Sequence, residues 1–427
     1  MLPGPQGREP HLVGQVGAQL FGGHGAVWYP WSMPRFAPFT GLRYDPSRVE
    51  LSKVVAPPYD VVGPEQRAAL AARHSANAIL VELPEPDPRL GADRYEAAAA
   101  RIAAWRADGI LVADPAPAFY AYRMTDGDGA VTLGVLGVLG LDDTSAADVL
   151  PHEETLAKAR SDRLELLTAT RHNLSPIWGL SLAPGLTAAI TPDGPPVADA
   201  TDDGVRHELW VLDDPSVTAA VAEVVDSAPI VVADGHHRLA TAQTYLAGTG
   251  AATPGADGVL ALVVELAEDT LSVGPIHRLL SGLPDGYDLV DAFGRWFDVT
   301  RAGDFTDRTT AALGESSSLA LVLPSGCWLL SPGDGTAEAA GSDLVSSMVA
   351  LVLAELPDHG LTFANCWPDA VGAVADGRAQ AAVLMSPVQV PQIDAWARAR
   401  RRMPPKSTFF RPKPRTGMVF RSLDADG

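Results

Sequence analysis

One stretch constrains this chain more than any other: Pro229-Ile230-Val231-Val232-Ala233-Asp234-Gly235-His236-His237-Arg238-Leu239-Ala240-Thr241-Ala242. An apolar, β-branched run, then a glycine, then a helix-forming segment from Leu239 to Ala247 predict a buried strand that turns directly into a helix. A strand buried on both faces needs a layer on each side, so an α/β architecture follows. The same turn concentrates chemistry. Helix-start N–H groups, two imidazoles and a guanidinium make an anion site, and a guanidinium grips phosphate through paired hydrogen bonds. Asp234, Gly235, His236, His237 and Arg238 are therefore candidate site residues. Two other readings stand beside this one. Asp234 can simply cap the helix over solvated histidines. The histidines can also bind zinc, although adjacent histidines diverge and no third ligand follows at useful spacing.

The rest of the pattern agrees with mixed α/β layers. Gly258 to Leu266 (GVLALVVEL) reads as a strand of a sheet interior. Ala118 to Met124 and Val131 to Gly140 flank Asp126-Gly127-Asp128-Gly129, a hairpin signal. Helices are predicted from Pro64 to about His74, over Tyr95 to Ala107, over Ala157 to Ala169 and over Thr218 to Val225. Asn77 to Leu83 (NAILVEL) and Ile177 to Leu182 read as strands. Residues 183–203 are rich in Gly, Pro and Asp and read as an inserted loop before a strand at Glu208 to Leu212. Helices and strands alternate again beyond Gly286, as a further α/β layer.

Charge and cysteine narrow the function classes. The 427 residues carry 52 Asp+Glu against 32 Lys+Arg, a net charge of −20. Such a chain repels phosphate backbones, which argues against general nucleic-acid binding. No run approaches the roughly 18 apolar residues of a membrane helix. Two cysteines, Cys327 and Cys366, lie far apart, which excludes a Cys-rich zinc site and a disulfide framework and places the chain in the reducing cytoplasm. No P-loop and no Rossmann fingerprint is present. Residues 1–32 lack helical or strand periodicity and read as a disordered extension, with no secretory signal.

Two further segments carry candidates. Leu150-Pro151-His152-Glu153-Glu154-Thr155 precedes a helix. A glutamate there can act as a general base or hold magnesium, or it can simply complement the helix dipole. Lys158, Asp162 and Arg163 follow on that helix and can face the same cleft. Near the C-terminus, nine Lys/Arg and no acid fall between Arg398 and Arg421, in a chain otherwise strongly acidic. Prolines there forbid a helix and favour an extended course. Lys406, Ser407, Thr408, Lys413 and Arg415 can hold a phosphate-bearing ligand; a basic surface paired with the acidic body is the alternative. Folding back would bring Lys406 or Lys413 to the Asp234 turn. His277-Arg278, after Pro275, is a supporting pair. Polar residues in rigid turns, such as Arg43 and Tyr59-Asp60, read equally as structural.

The ordered motifs FAPFTGLRYDP, VVAPPYDVV, PHEETL, DRLELLTAT, NLSPI, VVADGHHRLATA and MPPKSTFFRPKPRTG resemble a bacterial and archaeal family, the domain-of-unknown-function family numbered 1015. The resemblance runs from about Met33 to about Leu423. A narrower resemblance covers the centre. Pro151-His152-Glu153, a helix, a strand and Asp234–Arg238 follow one another as in the free serine kinase branch of the ParB/sulfiredoxin superfamily. That resemblance implies a ParB/sulfiredoxin-like central domain with a mixed sheet, flanked by an N-terminal β-rich and a C-terminal α/β portion. It implies Glu153 as the base that activates a serine hydroxyl, with Asp234 catalytic and either carboxylate a possible magnesium ligand. Gly235, His236, His237 and Arg238 then bind phosphate; on the charge reading of the basic segment, Lys406, Ser407, Thr408 and Lys413 join them. His152, Lys158, Arg163 and His277 lie around the substrate. ADP or ATP with Mg2+ and a small substrate such as serine are the implied partners. The alternative is a regulatory protein that binds a nucleotide or a phosphometabolite without turnover. Here the gap between the two motifs is longer, through residues 183–225, and the terminal regions have no counterpart in the small kinase. The expected divisions are 1–32, 33–135, 136–280 carrying both motifs, and 281–427.

Overall fold

Alternating side chains along Gly258–Glu265 build the middle of the molecule. The computed structural model describes residues 35–89, 93–141, 149–151, 160–249, 253–303, 305, 313 and 319–424, with backbone alone at 149–151 and 160. Leu260, Leu262 and Val264 enter one core, and Val259, Ala261 and Val263 enter another on the opposite face. The period of two thus produces a strand buried on both sides. It pairs parallel with Ile177–Ser181 and antiparallel with Val131–Gly140.

The nine-stranded mixed sheet around it runs Val149–Pro151, Ile230–Asp234, Ile177–Ser181, Gly258–Glu265, Val131–Gly140, Phe119–Thr125, Val205–Leu212, Ala198–Asp202. The short strand Phe36–Ala37 pairs with Val131–Gly140. The hairpin expected around Asp126–Gly129 is present. Gly129 takes φ +85°, and Asp126 accepts hydrogen bonds from the N–H groups of Asp128 and Ala130.

The two faces of this sheet are covered differently. Helices Pro215–Asp226 and His236–Thr249 place Val221, Val225, Leu239 and Ala242 on one face. On the other, the helix Val390–Arg398 and the chain after it supply Ile393, Trp396, Met403, Phe410, Met418 and Val419. The basic C-terminal segment is therefore a layer of the core. Burying Phe410, only 1% exposed, is worth about 2 kcal/mol of transfer free energy.

Short ladders pin that layer. Phe409–Arg411 pairs with Ser272–Gly274, and Phe420–Ser422 lies between Gly41–Tyr44 and His172–Asn173. A separate antiparallel sheet of six strands runs Phe297–Gly303, Gly326–Pro332, Leu319–Leu323, Ala381–Leu384, His277–Ser281, Gly360–Ala364. Its faces also alternate, with Leu319 and Leu321 on one side and Ala320 and Val322 on the other. The fold is α/β, with a nine-stranded mixed sheet and a separate antiparallel one. No helix among the described residues is long and apolar enough to cross a membrane.

Some local expectations are corrected. Asn77 to Leu83 is not a strand; Ile79–Glu82 is a helical turn. Asn77 decides this, because its side chain accepts from the Ile79 N–H at 2.9 Å and donates to the Lys53 carbonyl at 2.8 Å. Such local side-chain bonds compete with a sheet ladder. The loop read over 183–203 contains a helical turn, Leu186–Ala189, and an edge strand, Ala198–Asp202. The helix Pro215–Asp226 starts three residues earlier than read, with Asp214 capping it and Pro215 in its first turn.

Candidate functional site

The strand Ile230–Asp234 delivers Asp234 to the sheet's edge region, and the helix His236–Thr249 leaves at once. Gly235 makes that turn with φ +87°. A β-carbon there would sit 3.0 Å from Ile177 Cα, so glycine is required both for the angle and for the close approach. Pro151 registers against Val232 in the neighbouring parallel strand. Both strands thus run towards the same end of the sheet, where ligands bind in open α/β sheets.

Asp234 is held by two cations. Lys413 Nζ lies 2.5 Å from Oδ1, and an Arg238 terminal nitrogen lies 2.6 Å from Oδ2. Burial works to raise the Asp234 carboxyl, but Lys413 and Arg238 outweigh it and hold the carboxyl below its ordinary value. Arg238 also donates to the Pro176 carbonyl. His237 Nε2 is buried without a hydrogen-bond partner at the helix start. His236 begins the helix and its charge adds to the lowering at Asp234.

Lys413 reaches this turn because its neighbours are anchored. Phe409–Arg411 is in a ladder, and the Arg415 guanidinium is paired with buried Asp202 at 2.7 Å. The Arg415 N–H donates to the Tyr122 hydroxyl, and Thr416 bridges to Ala56. Proline on either side of Lys413 restricts the backbone between these anchors. The fold-back expected of the basic segment is thus realised through Lys413.

The other basic-segment candidates are placed differently. Lys406 is exposed with φ +60°, and its carbonyl accepts from Arg278 at 2.8 Å. Ser407 is buried and its hydroxyl is engaged by Ser346 and the Pro404 carbonyl. Thr408 is buried beside it. His277 is 3% exposed in the six-stranded sheet, and its Nδ1 accepts the Met385 N–H. Burial lowers it to about 4, so it is neutral and structural there. His152, Glu153 and Lys158 lie outside the described residues.

Arg163 does come to the turn's neighbourhood. It pairs with Asp162, donates to the Glu82 carbonyl and lies over the Tyr59 ring at 4.4 Å. With Arg238 it lines a small cleft of ≈ 50 Å³, open to solvent, whose other polar walls are Tyr59, Glu82, His172, Asn173, Ser175 and Thr241. Burial pushes the Tyr59 phenol up to about 12. It also pushes the Glu82 carboxyl above its ordinary value, against the pull of Arg163 and Arg238. Glu82, His172, Ser175 and Thr241 were not among the candidates read from sequence. The available signal was a lone glutamate inside the apolar run Ala78-Ile79-Leu80-Val81-Glu82-Leu83.

Among the described residues no three His, Cys, Asp or Glu side chains cluster as metal ligands. Asp234 has both oxygens engaged by Lys413 and Arg238, and Glu153, the other carboxylate expected to hold magnesium, lies outside the described residues. A phosphate group fits the turn. The helix start and Lys413 supply donors and a cation, and the imidazole Nε2 of His237 beside them is buried and unpartnered.

The fold and turn define an α/β protein with a cation-lined strand-to-helix turn at one end of a mixed sheet. The chain belongs to the family described as "Protein of unknown function (DUF1015)", whose model matches residues 36–349. No curated protein matches it. Among solved structures it is similar to a conserved hypothetical protein from Pyrococcus furiosus, at 16% identity and TM-score 0.37 over 68% of this chain and 95% of that one. A mutant free serine kinase in complex with AMP is 17% identical, with TM-score 0.36 over 65% and 87%. SbnI with a C-terminal truncation, from Staphylococcus aureus, is 12% identical, with TM-score 0.37 over 68% and 90%.

Proposed function

We propose that this protein is a phosphotransferase that moves a phosphoryl group from ADP or ATP to the hydroxyl of free serine or a related small molecule. The observation that carries the reading is the convergence of Lys413, Arg238 and an unpartnered His237 on the start of one helix. Phosphoryl transfer is catalysed mainly by positioning and by countering charge on the transferred group, and this turn supplies donors for both. Glu153 is the proposed base, because its motif follows the strand that runs parallel to Ile230–Asp234 towards the same end. Asp234 has both oxygens engaged and a lowered pKa, so it does not take the proton. Its part is to position Lys413 and Arg238.

The test is a direct assay of the full chain with ADP or ATP, magnesium and L-serine, reading O-phosphoserine by mass spectrometry. Product that disappears in Glu153→Gln supports the reading. Absence of product with every hydroxyl acceptor tried, together with tight nucleotide binding that needs Arg238, favours instead a regulatory protein that binds nucleotide. The closed Asp234–Lys413–Arg238 cluster suits that second reading, since it can hold a phosphate without any proton transfer. In either reading the partner is a small molecule in the cytoplasm, with nucleic acid disfavoured by the net charge.

A further inference from the structure

Arg163, Arg415 and Arg421 are all buried, and they are not treated alike. Arg163 meets Asp162 at 2.5 Å, and Arg415 meets Asp202 at 2.7 Å. Arg421, 6% exposed, forms no ion pair with any described residue. Its hydrogen bonds go to neutral oxygens. Nη1 donates to Asn173 Oδ1 at 2.9 Å and to the Gly258 carbonyl at 2.8 Å, and Nη2 donates to the Gly255 carbonyl at 2.7 Å. Nη1 has thereby spent both hydrogens and Nη2 one. The Nε–H and the other Nη2–H have no acceptor among the described residues. Burial lowers the guanidinium to about 10, so it is still a cation at neutral pH. A buried charge without a partner is costly, and native proteins pair such groups.

The Arg421 side chain lines a cavity of ≈ 260 Å³ that is open to solvent. Arg35 lines it as well, and both arginines hold the same short turn. Arg421 grips its Gly255 and Gly258 carbonyls, and Arg35 grips the Asp257 carboxylate at 2.6 Å. Two carboxylates stand in the walls, and each is already held by a different arginine: Asp257 by Arg35, and Asp424 by Arg171. Asp257 acts on Arg421 only at a distance, and Arg35 opposes it. Pro38, Phe39, Val138 and Pro254 make the rest of the wall apolar. The cavity is larger than the roughly 150 Å³ that admits benzene to a protein interior. It lies just under the roughly 300 Å³ at which drug-sized pockets begin, so its occupant is small.

We propose that this cavity binds a small organic monocarboxylate, with the carboxylate on Arg421 and the hydrocarbon part against Pro38, Phe39 and Val138. Adjacent guanidinium nitrogens can give a carboxylate two hydrogen bonds. One unpaired cation matches one negative charge. A phosphate dianion suits the walls less well, because Asp257 and Asp424 repel its second charge. Neither Lys413 nor Arg238 lines the cavity, so the site is separate from the Asp234 turn and needs no nucleotide.

Binding is measured by calorimetry on the full chain at neutral pH, without nucleotide or magnesium, with benzoate as the probe. Benzamide keeps the shape and removes the charge. Acetate keeps the charge and removes the ring, and inorganic phosphate supplies the dianion. Benzoate is expected to bind about ten-fold or more tightly than each of the three. Arg421→Met should weaken benzoate binding about ten-fold or more, and Lys413→Ala should leave it unchanged. Loss of benzoate binding in Lys413→Ala would put the anion at the Asp234 turn and overturn the proposal. Benzamide, acetate or phosphate binding as tightly as benzoate would do the same, as would full benzoate affinity in Arg421→Met. No benzoate binding up to about 10 mM would also end it. Should Arg421→Met fail to fold, the ranking of the four probes on the wild type and on Lys413→Ala decides. None of these outcomes depends on whether serine is phosphorylated, so failure here and failure of the kinase reading are separable.

Discussion

Asp234 and Glu82 are two carboxylates near one arginine, and they are treated in opposite ways. Asp234 is clamped by Lys413 and Arg238, with both oxygens engaged and a lowered pKa. Glu82 is more deeply buried, lacks an ion pair, and has a raised pKa. Burial acts on both in the same direction, so the difference comes from where the cations are spent. The first region is a closed electrostatic cluster that organises a turn. The second is a small cleft in which the carboxylate feels Arg163 and Arg238 without an ion pair to either.

The largest effect is expected from Asp234→Asn, which leaves Lys413 and Arg238 buried beside a neutral side chain. Breaking a buried pair from one side costs about 3–5 kcal/mol, readable as a fall in the urea midpoint. A loss below about 1 kcal/mol would show that the cluster is solvated and the contrast with Glu82 is false. Next comes Gly235→Ala. The left-handed angle costs about 1–2 kcal/mol, and the contact with Ile177 Cα adds to it. An unchanged Tm for Gly235→Ala would mean that the turn rearranges freely.

Stability against pH sharpens the comparison with signs. Asp234 has a folded pKa below its unfolded one. Its contribution is present above the unfolded value and is lost as pH falls through the folded value. The deficit of Asp234→Asn relative to wild type should therefore be full at pH 7 and shrink in acid. Glu82 has a folded pKa above its unfolded one, so its stabilising contribution is present below the unfolded value and lost as pH rises through the folded value. Glu82→Gln should match wild type in acid and equal or exceed it by up to about 1 kcal/mol at pH 7. Parallel curves for the two variants would remove the distinction. The smallest effect is expected at Lys406, exposed and remote from both carboxylates' hydrogen bonds. Lys406→Ala should change stability by less than about 0.5 kcal/mol and leave nucleotide binding unaltered, whereas Lys413→Ala should weaken it.

Several features were legible in advance because they are local. The strand, glycine and helix around Asp234 follow from residue type and spacing, as do the interior strand Gly258–Glu265 and the hairpin about Asp126–Gly129. The cation-rich character of the turn was equally legible, since His236, His237 and Arg238 are adjacent in the chain. Asn77 to Leu83 was misread for a physical reason. Its apolar run suits a strand or a buried helical turn equally, and the choice fell to Asn77's bonds to Ile79 and Lys53. The basic segment announced itself by charge, but which lysine mattered depended on distant anchors at Asp202, Tyr122 and Ala56.

By itself, then, the amino-acid order determined what short-range forces control: periodicity, turn angles, and the donors gathered at one helix start. Tertiary structure alone decided how the charges were divided. It sent Lys413 rather than Lys406 to Asp234, turned Ser407 towards Ser346, and left Glu82 without an ion pair in a cleft assembled from residues 59, 82, 163, 172, 175, 238 and 241. Those partners are separated by up to 182 positions in sequence, from Tyr59 to Thr241, and only packing, which has no sequence period, brings them together.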